Sequence, residues 1–277
     1  MAVRSRVTPR DAVLPLLRSA HLGPSVAVTG LTALLATASG LRRAQVAASA
    51  AAVLLGQLSI GWGNDLIDAS RDRQVARTDK PVAAGEVGAP VVAGALATAL
   101  VGTVWTSCRL GPRPAFAHLV LGVAPAHAYN LGLKGTRWSW VPYALAFGAL
   151  PSVVSQVGPD PRWSPVWITV PAAAIGVSAH VLNALPDLAH DQQTGVRGLP
   201  HRLGARHGQH LATALLGLAS VVVVLGPSRA PSAIGWTALA VNGALGVVAL
   251  QGTGRNPFRA AIAIALIDAG LLVEGAR

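Results

Sequence analysis

AQVAASAAAVLLGQLSIGWGNDLIDASRD, residues 44–72, begins as one kind of segment and ends as another. Its first twenty residues, Ala44–Gly63, carry no charge and are mostly Ala, Val, Leu, Gly and Ser. About twenty apolar residues is the length a helix needs to cross a bilayer's hydrocarbon. The last nine residues carry Asn64, Asp65, Asp68 and Asp72. If the helix continues, Asn64, Asp68 and Asp72, spaced four apart, stack on one face. Asp65 is turned roughly 100° away, toward a second ion or solvent. Three oxygen-bearing side chains converging at a membrane boundary repel one another unless a cation joins them. Hard oxygen donors suit Mg²⁺, which keeps some waters and completes its shell with substrate phosphates. The stretch therefore predicts a membrane-spanning helix that ends in a metal-binding face.

The rest of the chain supports an all-α integral membrane protein. Of 277 residues, 52% are hydrophobic and only 12% charged, about half the charge of a soluble domain. The abundant Ala and Gly suit helices that approach closely in lipid. Nine apolar stretches are long enough to be candidate spans: 19–41, 44–63, 88–108, 115–133, 139–157, 163–186, 211–228, 231–254 and 260–273. The last is short and carries Asp268. Gly111-Pro112, Gly158-Pro159, Gly226-Pro227 and Asn256-Pro257 punctuate the gaps. Trp105, Trp138, Trp140, Trp163 and Trp167 fall near span ends, as an aromatic belt requires. No linker or strong repeat divides the chain, so residues 1–277 read as a single domain. The basic, mixed first residues do not read as a cleavable signal peptide. Cys108 is the sole cysteine, which excludes an internal disulfide; in its apolar run it reads as a buried small hydrophobe.

The formal charge of +11 fits basic cytoplasmic loops and anionic headgroups better than nucleic acid. With the N-terminus in the cytoplasm, that side receives fifteen of the 22 basic residues and the other side seven. The N-terminus and the two long polar loops, 64–87 and 187–209, then all face the cytoplasm.

The second loop repeats the chemistry of the first. Asn183-Ala184-Leu185-Pro186-Asp187-Leu188-Ala189-His190-Asp191 places Asp187 and Asp191 four residues apart. Asp65, Asp68, Asp72, Asp79, Asp187 and Asp191 are six of the eleven acidic residues, and all six lie in or beside these two loops. Only two of the 22 basic residues are lysine. Lys80 follows the first aspartate cluster, and Lys134 ends Tyr129-Asn130-Leu131-Gly132-Leu133-Lys134. Each is a compact charge able to meet a phosphate oxygen.

Asn64-xxx-Asp68-xxx-Asp72, Asp187-xxx-Asp191 and the Tyr129–Lys134 segment resemble the UbiA superfamily of intramembrane prenyltransferases. The resemblance extends over nearly the whole chain and implies about nine transmembrane helices around a central cavity, capped by the two polar loops. It implies Mg²⁺ held by Asn64, Asp68, Asp72, Asp187 and Asp191, with the four aspartates as catalytic residues. Arg77, Lys80, Tyr129, Lys134, Asn183 and Arg197 would meet the substrates. The implied reaction is transfer of a prenyl group from an isoprenoid diphosphate to a lipophilic, aromatic or quinone-precursor acceptor within the membrane. The alternative is a UbiA-type terpene cyclase that needs no acceptor; a transporter and a non-catalytic scaffold are the other classes weighed. The chain departs from many members at Asp191-Gln192-Gln193, where they have adjacent acids, and its Leu199-Pro200…Leu203-Gly204 ending is closer to members acting on quinone precursors, chlorophyllides or glycerol ethers.

Among the histidines, His201, His207 and His210 read as decoration of the second loop, and no zinc spacing is present. His21, His118, His127 and His180 lie in apolar stretches and are expected to face the bundle interior. Arg18 with His21 is a candidate contact for an anionic acceptor. Asp268, deep in the last stretch, is expected to face the cavity or a neighbouring helix.

Overall fold

The computed structural model describes residues 9–226 and 230–275. Arg4, Arg6, Arg229 and Arg277 of the charge count, and Pro227 and Ser228 at the end of the seventh stretch, lie outside the described residues. The described chain is all helical. In order it forms α1 (Pro9–Ser19), α2 (Leu22–Ala38), α3 (Arg43–Gln74), the single turn α4 (Pro81–Ala84), α5 (Ala89–Leu110) and α6 (Pro112–Phe116). A π-helical segment, Ala117–Val123, leads into α7 (Ala124–Leu131) and a 3₁₀ turn, Leu133–Gly135. Then come α8 (Val141–Ser155), α9 (Val166–Ala184), a 3₁₀ turn at Leu185–Asp187, α10 (Leu188–Gln193), α11 (Leu199–Leu225), α12 (Ala233–Gln251) and α13 (Asn256–Gly275).

Five helical runs are long and apolar enough to cross a membrane: α3, α5, α9 with its continuation to Gln193, α11 and α12. The end of α1 and α2 make a sixth if the two, bent by 66°, are one span. The bend sits at His21, whose φ of 53° is left-handed. The other apolar stretches lie on the α6–α7 run, α8 and α13. The π segment runs into Pro125, which lacks a backbone N–H and displaces the carbonyl four residues back.

Close packing follows the small residues. A side chain at Gly61 would collide with the backbone of Ala20, so glycine lets α3 pass directly against the end of α1. At Gly176, a Cβ would stand 2.7 Å from the Cβ of Phe147, so α9 and α8 also touch nearly backbone to backbone. In lipid such contacts stabilise through van der Waals packing, because lipid tails are as apolar as the side chains. Last in order, α13 packs against α12, α9 and α2, bringing the end of the chain back to its beginning. Asp268 on α13 is buried and accepts from Ser220 of α11 at 2.9 Å and Asn242 of α12 at 2.7 Å, tying three helices together.

Two expectations are corrected here. Cys108 is exposed, not buried. It sits on α5, an outer helix with Val101, Val104 and Trp105 also exposed, so its apolar run reflects an outward surface and not a core. Asp65 does not face solvent: it is 1% exposed and accepts the Val82 backbone N–H at 3.2 Å, fixing α4 against α3.

Candidate active site

A 32-residue helix such as α3 is about 48 Å long, well beyond a hydrocarbon thickness of about 30 Å. The excess carries its polar end past the apolar stretch without a break. Asn64, Asp68 and Asp72 therefore share one face, as the spacing predicts. Asn64 donates to Asp68 at 3.0 Å and to Asn130 of α7 at 3.2 Å, while Asn130 donates to the Ile60 carbonyl at 3.0 Å. Asp68 is buried and receives both Arg71, one turn along α3, and Lys134, whose Nζ lies 2.6 Å from Oδ2. Asp72 is also buried, with Oδ2 lacking a hydrogen-bond partner. Lys80 bridges Asn64 Oδ1 at 3.4 Å and His21 Nε2 at 3.2 Å, and stands 3.8 Å from Asp65.

The second motif is built differently. At Pro186 the helix tightens into a 3₁₀ turn that ends at Asp187, and α10 follows. Arg77, from the first loop, reaches Asp187 at 3.1 Å and pairs with Asp79 at 2.7 Å, so one guanidinium links the two polar loops. Asp191 lies 3.3 Å from His201 Nε2, the first-turn histidine of α11. The His201 side chain is 5% exposed and packs beside Asp191, so it is not the surface decoration that its position in a polar loop suggested.

The basic groups carry the electrostatic character. The hydrogen bond to Asp79 raises the Arg77 guanidinium further above its ordinary value, and the same contact holds Asp79 down to about 2. Burial lowers the Lys134 ammonium, opposed by the adjacent Asp68 carboxylate. A lysine held in that balance is a charge already desolvated before any ligand arrives.

Of the residues singled out from the sequence, Asn64, Asp68, Lys80 and Lys134 form one contact network, while Arg77 pairs with Asp187 and donates its backbone N–H to the Asp72 carbonyl at 3.0 Å. Tyr129 instead lies edge-on to Tyr143 at 5.3 Å and to His180 at 5.6 Å. Asn183 is half-buried between His180 and Asp187. Arg197 is exposed, and its side chain makes no ion pair among the described residues. Arg18 is taken by Glu86 at 2.8 Å. Asn130 and Arg71 were not singled out, and His201 was read only as loop decoration; a buried Asn beside Tyr129 in an apolar run was the one available signal for Asn130.

Among the described residues no three His, Cys, Asp or Glu side chains are already gathered as a metal cage. The donor chemistry nevertheless fits a hard cation. Asn64, Asp68 and Asp72 offer only oxygen or amide groups, and Asp72 Oδ2 is a buried oxygen without a partner. That is the arrangement in which protein supplies a few oxygens and leaves the remaining positions to water and phosphate.

The fold and site thus define an all-helical integral membrane protein with two aspartate motifs drawn together under basic side chains. The UbiA prenyltransferase family model matches residues 25–267, and the chain belongs to that family. No curated protein matches the chain by sequence. Its fold is similar to a UbiA homolog from Aeropyrum pernix K1 (TM-score 0.73, 16% identity, covering 91% of this chain and 98% of that one). It is also similar to a UbiA homolog from Archaeoglobus fulgidus bound to GPP and Mg²⁺ (TM-score 0.68, 14% identity, 94% and 99% covered). A third similar structure is of digeranylgeranylglyceryl phosphate synthase in membranes (TM-score 0.63, 14% identity, 96% and 98% covered).

Proposed function

We propose that this chain, as a single domain of about nine transmembrane helices around a central cavity, transfers a prenyl group from an isoprenoid diphosphate to a lipophilic acceptor. The observation that carries this reading is the convergence of Lys134, Arg71, Arg77 and Lys80 on the two aspartate motifs. Aspartates alone would repel a diphosphate, and cations alone would not hold Mg²⁺. Together they offer sites for both. The Archaeoglobus homolog's complexes with GPP and DMAPP, each with Mg²⁺, support the same substrate class here.

Asn64, Asp68 and Asp72 on one side, and Asp187 and Asp191 on the other, would hold Mg²⁺. The ion supplies charge that stabilises a departing diphosphate. Lys134, Lys80 and Arg77 add fixed positive charge where negative charge builds, in a site of low dielectric where such stabilisation is large. As the C–O bond breaks, an allylic cation remains. The apolar walls keep water from quenching it, an electron-rich ring of aromatic or quinone-precursor type attacks its C1, and the ring cation so formed gives up its proton to the released diphosphate. The N-terminus and both aspartate loops lie on the cytoplasmic side, following the basic-residue bias.

The test is incubation of the purified protein with geranyl, farnesyl and geranylgeranyl diphosphates and a panel of phenolic and hydroquinone acceptors, read by mass spectrometry. A prenylated acceptor is expected with Mg²⁺ and none with excess chelator. A cyclic hydrocarbon from diphosphate alone would instead select the cyclase, and turnover undiminished by chelator would remove the metal from the mechanism.

A further inference from the structure

Two turns into the bundle from Asp187 on α9, about 10 Å along the helix axis, lies a buried histidine outside the diphosphate network. His180 is 2% exposed. Its imidazole stacks on Tyr143 of α8 at 4.7 Å, and Tyr129 of α7 meets both rings edge-on, at 5.6 Å from His180 and 5.3 Å from Tyr143. Tyr129 and Tyr143 are only half-buried although helices enclose them.

The hydrogen bonds around His180 settle its tautomer. Ser139 is fully buried. Its Oγ accepts the Leu199 backbone N–H at 2.8 Å and lies 3.0 Å from His180 Nε2. With a lone pair taken by Leu199, the serine O–H needs an acceptor, and Nε2 is the one within reach. A buried hydroxyl without an acceptor is costly, so Ser139 donates and Nε2 accepts. A neutral imidazole that accepts at one nitrogen carries its proton on the other. Nδ1 is therefore an N–H donor, and it is buried with no hydrogen-bond partner. Gly198 rigidifies this arrangement: a side chain there would collide with the Lys134 carbonyl and approach Ser139 Oγ at 2.9 Å, so the Lys134 turn, Ser139 and the start of α11 are locked together.

We infer that His180 Nδ1–H is the hydrogen-bond donor that holds a ring oxygen of the acceptor, with Tyr129 and Tyr143 as the aromatic walls of the acceptor site. The ligand class is a planar ring bearing a hydroxyl, phenolate or carbonyl oxygen. A flat ring matches the aromatic surfaces, and its oxygen satisfies a buried N–H that the described residues leave without a partner. His180 orients the ring and takes no proton. The inference rests on the prenyl-transfer reading above and deepens it by placing the acceptor.

Full-length protein in lipid nanodiscs, with Mg²⁺ and the unreactive geranyl S-thiolodiphosphate, is titrated with 1-naphthol and with naphthalene, rings that differ by one oxygen. Protein-free discs correct for partition into lipid. Wild type is expected to prefer 1-naphthol by about five- to tenfold, the value of one neutral hydrogen bond. His180→Phe keeps naphthalene binding and removes the preference. His180→Asn, whose amide nitrogen overlays Nδ1, retains most of it, and Ser139→Ala, which frees the tautomer, reduces it partway. A structural role alone would not move this ratio. No preference in wild type, or the same preference in His180→Phe, overturns the inference. If His180→Phe also loses naphthalene, the decision passes to His180→Asn, and a lost preference there with naphthalene intact overturns it. Diphosphate release from geranyl diphosphate in the same discs separates the two readings. Its absence in wild type removes the enzyme function itself, whereas its presence beside an unaltered preference in His180→Phe removes only the acceptor site.

Discussion

The two aspartate motifs carry the same residue type at the same spacing on unlike supports. Asn64, Asp68 and Asp72 ride on one uninterrupted 32-residue helix, and both aspartates are buried. Asp187 and Asp191 stand on either side of a 3₁₀-to-α junction at a proline, with side chains 30% and 31% exposed. Asp68 is fixed by Arg71, Lys134 and Asn64, whereas Asp187 and Asp191 have one basic partner each. The first motif is thus preorganised by neighbours on α3, α7 and the turn after it, while the second depends on the loop that carries it. A preorganised group costs little reorganisation when charge develops. A half-exposed pair on a short helix can shift to accept different ligands, at some cost in that preorganisation.

The sharpest break of this comparison is a matched pair of variants. Asp68→Asn keeps the side chain's shape, removes a ligand charge and leaves Lys134 and Arg71 without a carboxylate. Turnover should fall by about 10²–10³ or more, the scale of losing an electrostatic group at the reacting centre. Asp187→Asn should also be damaging, by about tenfold less, because its neighbourhood can rearrange. Asp160→Asn is the control, since Asp160 is 70% exposed and pairs only with Arg162. Radiolabelled prenyl transfer in membranes measures all three. Equal losses at Asp68 and Asp187 would show that rigidity does not distinguish the motifs. Activity at the control level in both would make the aspartates interfacial decoration.

Lys134 separates charge from geometry. Lys134→Ala leaves buried Asp68 with Arg71 as its one paired cation and should lower turnover by about one to two orders of magnitude. Lys134→Arg keeps the positive charge and should retain part of the activity, although the planar guanidinium is a poor copy of a compact ammonium. If arginine performs no better than alanine, position matters more than charge at this site.

The smallest effect concerns the first loop's own anchor. Asp79 is held down to about 2 from the ordinary 3.8 by its hydrogen bond to Arg77. A depressed carboxyl contributes stability that is complete above its unfolded value and is lost as pH falls through its folded one. Limited proteolysis of the 75–88 segment should therefore be unchanged between pH 8 and 5 and rise only as pH falls from about 4 to 2. Asp79→Asn should abolish that step. Because Asp79 is half exposed, the change is expected to be modest. A rise in cleavage already at pH 6 would assign the loop's stability to another group.

The site was legible where chemistry and periodicity coincide. Asn64, Asp68 and Asp72 share a face because a helix repeats every 3.6 residues, and nothing between Gly63 and Gln74 interrupts α3. Lys80 and Lys134 stood out as the only lysines in the chain, and both reach the first motif. Periodicity is silent about partners from distant segments. His201 looked like loop decoration, because nothing local tells that the start of α11 folds back onto Asp191. Cys108 looked buried because an apolar residue facing lipid and one facing a core read alike when the solvent itself is apolar. Arg197, chosen by its place in a motif, is exposed.

By itself, then, the sequence determined that this chain is helical, that its helices belong in lipid, and that two aspartate motifs with a few cations end those helices on one side. Each of these follows from local composition and from the 3.6-residue repeat, which need no knowledge of the rest of the chain. Only the tertiary structure decided that Asp65 pins α4, that Arg77 spans the two loops, and that Ser139 meets His180. Those facts depend on residues 17, 110 and 41 positions apart in the chain meeting within hydrogen-bond or ion-pair distance. Such meetings arise from how glycines such as Gly61, Gly176 and Gly198 let backbones approach, a property of packed surfaces that no single segment contains.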